Sequence, residues 1–141
     1  MNNLRNMEKL PVVRDHMDRH VATLRPETDI LDAVGLLLEK RITGAPVVDK
    51  SGKLVGILTE KDCLRLVAAG VEGMLPRGSV ATFMTPNPET IPANMDVYFA
   101  AGLFLKRSFR RLLVVEDGKL VGAITRFDIL RVIQANLTLA R

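Results

Sequence analysis

The sequence predicts an α+β fold built from one β-α-β-β-α unit written twice. Three observations carry this expectation. The phrase GKLVGILTEKD at 52–62 returns as GKLVGAITRFD at 118–128. Placing Met17 over Met84 sets the halves in register: Thr23 meets Thr90, Asp29 meets Asp96, Ala33 meets Ala100, and Val47-Val48 meets Val114-Val115, with one deletion opposite Ser51. Each half also passes through the same sequence of extended and helical apolar patterns. The repeat is roughly 55 residues long, near the lower limit for independent folding, so two copies are expected to share a core.

In chain order, the sequence divides into an N-terminal extension (1–11), a first repeat (12–69), a linker (70–79) and a second repeat (80–137). Each repeat opens with a short extended piece, HVATL at 20–24 or PETI at 88–91. A helix follows, from Asp29 to about Arg41 and from Asp96 to about Ser108. The aspartates suit the first turn, where a carboxylate complements the helix dipole. Ile30, Ala33, Val34, Leu37 and Leu38 recur at helical spacing, as do Val97, Ala100, Ala101, Phe104 and Leu105. Next come two strands joined by a tight turn, APVVD-KSGK-LVGIL and LLVVE-DGK-LVGAI, which read as hairpins. A second helix runs from about Glu60 to Ala69 and from about Arg126 to Ala135. The linker GVEGMLPRGSVA carries three glycines and a proline, with room for a helical turn at EGML. Two three-stranded sheets, each with helices on one face, can bury their remaining apolar faces against each other about a pseudo-twofold axis. That packing would leave equivalent clefts where the repeats meet.

Composition sets outer bounds. The 141 residues are 48% hydrophobic and 26% charged, a globular balance. The net charge of +4 favours anionic partners without choosing among nucleotides, nucleic acid and acidic surfaces. Cys63 is the single cysteine, so no intramolecular disulfide forms, which fits a reducing compartment. The start lacks the apolar stretch of a signal peptide, and AVGLLL and YFAAGLFL are too short to span a bilayer. A soluble cytoplasmic protein with no membrane partner is expected.

The repeated phrase contains glycine, two apolar residues, then T-x-x-D where a strand gives way to a helix. Thr59 and Thr125 fit the N-cap, their hydroxyls accepting from the N–H three residues on. Asp62 and Asp128 then complete a capping box. The same geometry suits a ligand: a helix N-terminus attracts phosphate, and an adjacent carboxylate accepts both hydroxyls of a ribose. Gly56 and Gly122 inside the strands point to close approach of another backbone or of a ligand. A cap and a binding site both remain open on these residues alone.

Two ordered copies of this texture, ITGAPVVDKSGKLVGILTEKDCLRLV at 42–67 and FRRLLVVEDGKLVGAITRFDILRVI at 109–133, resemble a tandem pair of CBS (cystathionine β-synthase) domains, a Bateman module. FMTPNPETI at 83–91 is similar to the family's usual unit opening, and the resemblance covers residues 12–135. It implies a module that binds AMP, ADP, ATP or S-adenosylmethionine in the two clefts. By the family pattern Asp62 and Asp128 would hold ribose hydroxyls, and Thr59 and Thr125 would contact ribose or phosphate. Thr43, Gly44, Ala45 and Pro46 in one half, and Arg111, Leu112 and Leu113 in the other, would line the base, flanked by Thr23 and Thr90. The first repeat departs from the pattern at its opening, where Asp18 stands in place of Thr85 and would repel a phosphate. Arg110 and Arg111 replace Thr43 and Gly44, so the two sites are expected to differ, with the stronger polyphosphate site using one of these arginines.

The remaining motifs point elsewhere only weakly. KRSFRR at 106–111 is a basic run, but aromatics are 4% of the chain with no Trp, which argues against nucleic-acid binding. His16 and His20 have no evident third ligand for a metal. Cys63 aligns with Ile129 and reads as a small buried hydrophobe. No nucleophilic triad or phosphate-transfer motif is present, so an enzyme is not expected. Tyr98 and Phe99 widen the apolar surface of their helix, as a core face or a homodimer interface. The functional expectation is a regulatory nucleotide sensor signalling to a separate effector protein. The alternative is a structural or interaction module whose clefts stay empty.

Overall fold

The expected element order follows from local signals that the computed structural model, which describes residues 10–68 and 77–140, realises one by one. After a single 3-10 turn at Val13–Asp15 come α1 (Ile30–Lys40), β1 (Gly44–Val48), β2 (Leu54–Thr59), α2 (Glu60–Ala68), α3 (Val80–Phe83) and β3 (Thr85–Pro86). There follow β4 (Thr90–Pro92), α4 (Val97–Lys106), β5 (Arg111–Glu116), β6 (Lys119–Thr125) and α5 (Arg126–Ala140). The extension over 1–11 and the linker over 70–79, with its EGML turn, lie outside the described residues apart from 10–11 and 77–79.

Both predicted helix starts are capped by their aspartates. Asp29 Oδ2 accepts from the Leu31 N–H at 3.0 Å, and Asp96 Oδ1 accepts from the Phe99 N–H at 2.7 Å. Each bond satisfies an N–H that the helix itself leaves free. α1 stops at Arg41, which turns left-handed at φ 53° and returns its N–H to the last carbonyls.

The hairpins follow their turns. Asp117 and Gly118, at φ 52° and 78°, give β5 and β6 the two left-handed residues of a tight hairpin turn. In the first hairpin Asp49 Oδ1 gathers the Ser51 N–H, the Ser51 hydroxyl and the Lys53 N–H, and Gly52 supplies the positive φ of 88°. β1 and β2 run antiparallel with Gly44 opposite Thr59 and Val47 opposite Gly56.

The sheets are assembled differently from the expectation. Each repeat was expected to supply its own three strands, the first being the opening extended piece. In the second repeat this holds: β4 pairs parallel with β5 in the order β4-β5-β6. In the first repeat HVATL contributes only a parallel bridge between Leu24 and Val47. The third strand of the order β1-β2-β3 is Thr85–Pro86, the opening of the second repeat, which lies antiparallel to β2 with Thr85 opposite Ile57. Reciprocally, Asp18 from the opening of the first repeat bridges Ala123 on β6. Alternation explains the missed strand: a two-residue piece containing proline carries no period to read.

The compact units therefore cut across the sequence repeats. One holds Val21–Pro88 with Gly118–Leu120; the other holds the described residues up to His20 with Glu89–Asp117 and those from Val121 onward. Each has its own core. The first gathers Leu24, Ile30, Ala33, Leu37, Ala45, Val47, Leu58 and, from the second repeat's opening, Val80. The second gathers Ile91, Val97, Ala100, Leu112, Val114, Ile124, Ile129 and Val132 around Val13 and Met17.

Candidate functional site

The strand-to-helix junction that the sequence writes twice is built twice in nearly the same way. Thr59 ends β2, and its N–H and hydroxyl both donate to Asp62 Oδ2, at 2.9 and 3.0 Å. The Asp62 N–H donates back to Thr59 Oγ1 at 3.3 Å. At the other junction Thr125 donates to Asp128 Oδ2 at 2.8 and 3.0 Å, and the Asp128 N–H returns a bond of 3.2 Å. Both are reciprocal capping boxes. The cap expectation is met in full.

The second carboxylate oxygen separates the two copies. Asp62 Oδ1 accepts from Arg65 Nη1 at 3.2 Å and from the Thr85 hydroxyl at 3.1 Å. Asp128 Oδ1 accepts from Arg131 Nη1 at 2.8 Å. The Asp62 side chain is 4% exposed and that of Asp128 16%. The arginines, each on the helix turn after its aspartate, were not singled out from the sequence. The repeated D-x-x-R was the signal that could have found them.

The glycines have a structural reason. A Cβ on Gly56 would stand 2.5 Å from Met84 Sδ and 3.0 Å from the Thr85 carbonyl oxygen. One on Gly122 would stand 2.7 Å from the Asp18 carbonyl oxygen and 2.7 Å from Met17 Sδ. What comes close is the opening segment lying beside each strand, backbone and methionine together. Of the two uses that the sequence left open for these glycines, the nearby atoms are those of another backbone.

The other sequence-predicted residues divide by unit. Thr43 accepts from the Glu60 N–H through its carbonyl, 2.8 Å, and Gly44 faces Thr59 across the hairpin, so both stand at the Asp62 junction. Ala45, Pro46 and Leu112 are fully or almost fully buried, so their side chains serve packing and only their backbones remain to meet a base. Thr23 is exposed beside the Leu24 bridge, and Thr90 is half-buried on β4 opposite Leu113. Thr90, Arg110, Arg111 and Leu112 belong to the unit of Thr125 and Asp128. Arg110 is exposed. Arg111 is half-buried; burial pulls its guanidinium down from its usual range while the charge of Asp18 works against that shift. Burial pushes the Cys63 thiol up, Asp62 adding to the effect, in keeping with its packing against a core. Among the described residues no group of His, Cys, Asp and Glu is placed to hold a metal ion. No helix there is long and apolar enough to cross a membrane.

Comparison with known proteins places this arrangement. The family model for the CBS domain matches the chain at residues 13–69 and again at 80–135. The chloroplastic CBS domain-containing protein CBSX1 of Arabidopsis thaliana is 35% identical over 140 residues, covering 81% of this chain. The chain spans 58% of that relative and as little as 15% of others, some of which are enzymes by name. The crystal structure of CBSX2 in complex with AMP matches with a TM-score of 0.76 and 31% identity, covering 89% of this chain and 97% of that one. The CBS domain pair of protein MJ0100, solved with 5′-methylthioadenosine and S-adenosyl-L-methionine, matches with a TM-score of 0.71 and 27% identity, covering 90% and 98%. Two family matches spanning most of the sequence, on a fold shared with CBS pairs, make this chain a member of the CBS-domain family with two CBS domains in tandem.

Proposed function

We propose that the chain is a regulatory CBS pair that binds AMP, ADP, ATP or S-adenosylmethionine and passes its occupancy to a separate effector protein. The observation that carries this reading is the Thr-x-x-Asp junction, built twice with the same hydrogen bonds, in a fold whose relatives were solved with adenosine compounds. Ribose hydroxyls are donors and need an acceptor; Asp62 and Asp128 are the carboxylates at hand, and Thr59 and Thr125 sit beside them at helix N-termini suited to phosphate. Thr43 and Gly44 stand beside one carboxylate, and Arg111 supplies a cation in the unit of the other. The protein acts in the cytoplasm by this reading, through differential affinity of the ligand for two conformations and without catalysis.

Calorimetric titration of AMP, ATP and S-adenosylmethionine tests it. The expected result is micromolar binding by the wild type, weakened about a hundredfold or more when the occupied aspartate becomes alanine, in protein still folded by circular dichroism. Absence of binding by all three compounds would overturn the reading. A second reading then gains weight, in which the module is structural: the reciprocal Thr59–Asp62 and Thr125–Asp128 bonds are those of helix caps.

We also propose a homodimer. Phe99 on α4 and Phe127 on α5, in one unit, are 60% and 71% exposed, and Leu38 on α1 and Val67 on α2, in the other, are each 73% exposed, apolar side chains that a partner copy would cover. Sedimentation equilibrium is expected to give twice the chain mass at micromolar concentration; a monomer would refute the interface.

A further inference from the structure

We propose that Thr85 closes the carboxylate of the first repeat and that Asp18 leaves that of the second open, so that each chain takes one adenosine ligand, held at Asp128. This inference rests on the function proposed above and names which of its two sites is used, and by what residue the choice is made.

The two junctions are each other's control. The opening of the second repeat lays Thr85 opposite Ile57 on β2, and the opening of the first lays Asp18 opposite Ala123 on β6. Ile57 and Ala123 both follow the strand glycine and both stand two residues before the threonine of the junction. Thr85 and Asp18 therefore occupy one and the same place, in two copies of the same edge. From that place Thr85 donates its hydroxyl to Asp62 Oδ1 at 3.1 Å. Asp18 places a carboxylate there instead of a hydroxyl, and its Oδ1 accepts from the His20 N–H at 2.8 Å.

Counting acceptors then separates the sites. A carboxylate offers about four lone-pair positions. Among the described residues, Asp62 receives donors from the Thr59 N–H, the Thr59 hydroxyl, Arg65 and Thr85, which fills them. Asp128 receives the Thr125 N–H, the Thr125 hydroxyl and Arg131, which leaves a position for an incoming hydroxyl. Exposure agrees, at 16% for the Asp128 side chain against 4% for Asp62. The same unit carries Arg111 where the first repeat has Gly44, and the charge of Asp18 acts on that guanidinium. The second repeat thus offers an open carboxylate for the ribose, with Arg111 offsetting the charge of Asp18 that would otherwise repel a phosphate. In the first, Thr85 already stands where a ribose hydroxyl would.

The test is the stoichiometry and location of binding in the full chain, by calorimetry with AMP, ATP and S-adenosylmethionine. The wild type is expected to bind one equivalent, lost on Asp128→Asn. Asp18→Thr, which installs the hydroxyl beside Asp128, is expected to weaken that site about tenfold, the worth of one displaced hydrogen bond. Thr85→Val is expected to add a second, weaker equivalent, and Thr85→Ser, which keeps the hydroxyl, to retain one. Thr85 is exposed, so these changes leave the core untouched. Two equal sites in the wild type, one site lost on Asp62→Asn and kept on Asp128→Asn, or a Thr85→Val variant that still binds one equivalent would each overturn the inference while the adenosine-binding reading stands. No binding of any of the three compounds by the wild type or by Thr85→Val would overturn both.

Discussion

Gly122→Val is expected to destabilise the chain by about 3 kcal/mol or more, and Gly122→Ala by about 2 kcal/mol, in urea denaturation. The reason is that the nearest obstacle cannot retreat. A Cβ at this position meets the Asp18 carbonyl oxygen at 2.7 Å. That oxygen accepts the Ala123 N–H at 3.0 Å, while the Asp18 N–H donates to the Ala123 carbonyl at 2.8 Å. Pushing the segment aside breaks this pair of bonds and lifts Met17 and Val13 from the core they help to fill. Gly56→Ala is expected to cost less, because the closest atom there is Met84 Sδ, the far end of a flexible side chain, and the Thr85 carbonyl is 3.0 Å away. Equal losses at the two glycines would show that the opening segment of the first repeat yields as easily as a methionine does.

Asp62→Ala is expected to cost about 3 kcal/mol, against about 1–2 kcal/mol for Asp128→Ala. Asp62 is the buried polar residue among the described residues, with its side chain 4% exposed. Its removal strips partners from the Thr59 N–H and hydroxyl in a half-buried setting and releases Thr85 from α2. At Asp128 water reaches the orphaned donors more easily, which reduces the penalty. Paired thermal and urea denaturation of the two variants measures the difference. A larger loss at Asp128 would contradict the ranking by burial.

Much of this architecture was legible in the chain. Asp29 and Asp96 announced their helices, the D-G pair announced its turn, and T-x-x-D announced a capping box that the structure closes with the expected bonds. These are local features, decided by a few neighbouring residues. The exchange of opening segments was not legible. Val13 and Met17 enter the core of the unit that holds the second hairpin, and Val80 enters that of the first, because partners distant in sequence bury them. Pairing of that kind depends on which surface is left unfilled, and no period within 12–18 or 80–86 records it. The site was read in the same proportion. The carboxylates and threonines were visible as a repeated motif, whereas Arg65, Arg131 and the donor role of Thr85 come from where turns and edges place side chains.

The swapped openings also set an order of events as the chain is made. On the ribosome the Val21–Pro88 portion has most of its partners once residue 88 has emerged, since β3 and Val80 close its sheet and core. The segment at 12–18 emerges earlier and must wait. The Val13 N–H needs the Met95 carbonyl, the Arg14 guanidinium pairs with Glu116 102 positions away, and Asp18 needs Ala123. Contacts so distant in sequence are slow to form, because a long loop must close before they return any stability. The segment at 12–18 is thus made before most of its partners yet among the last parts of the two repeats to find its place, since Asp18 can settle beside Ala123 only after β6 has been made.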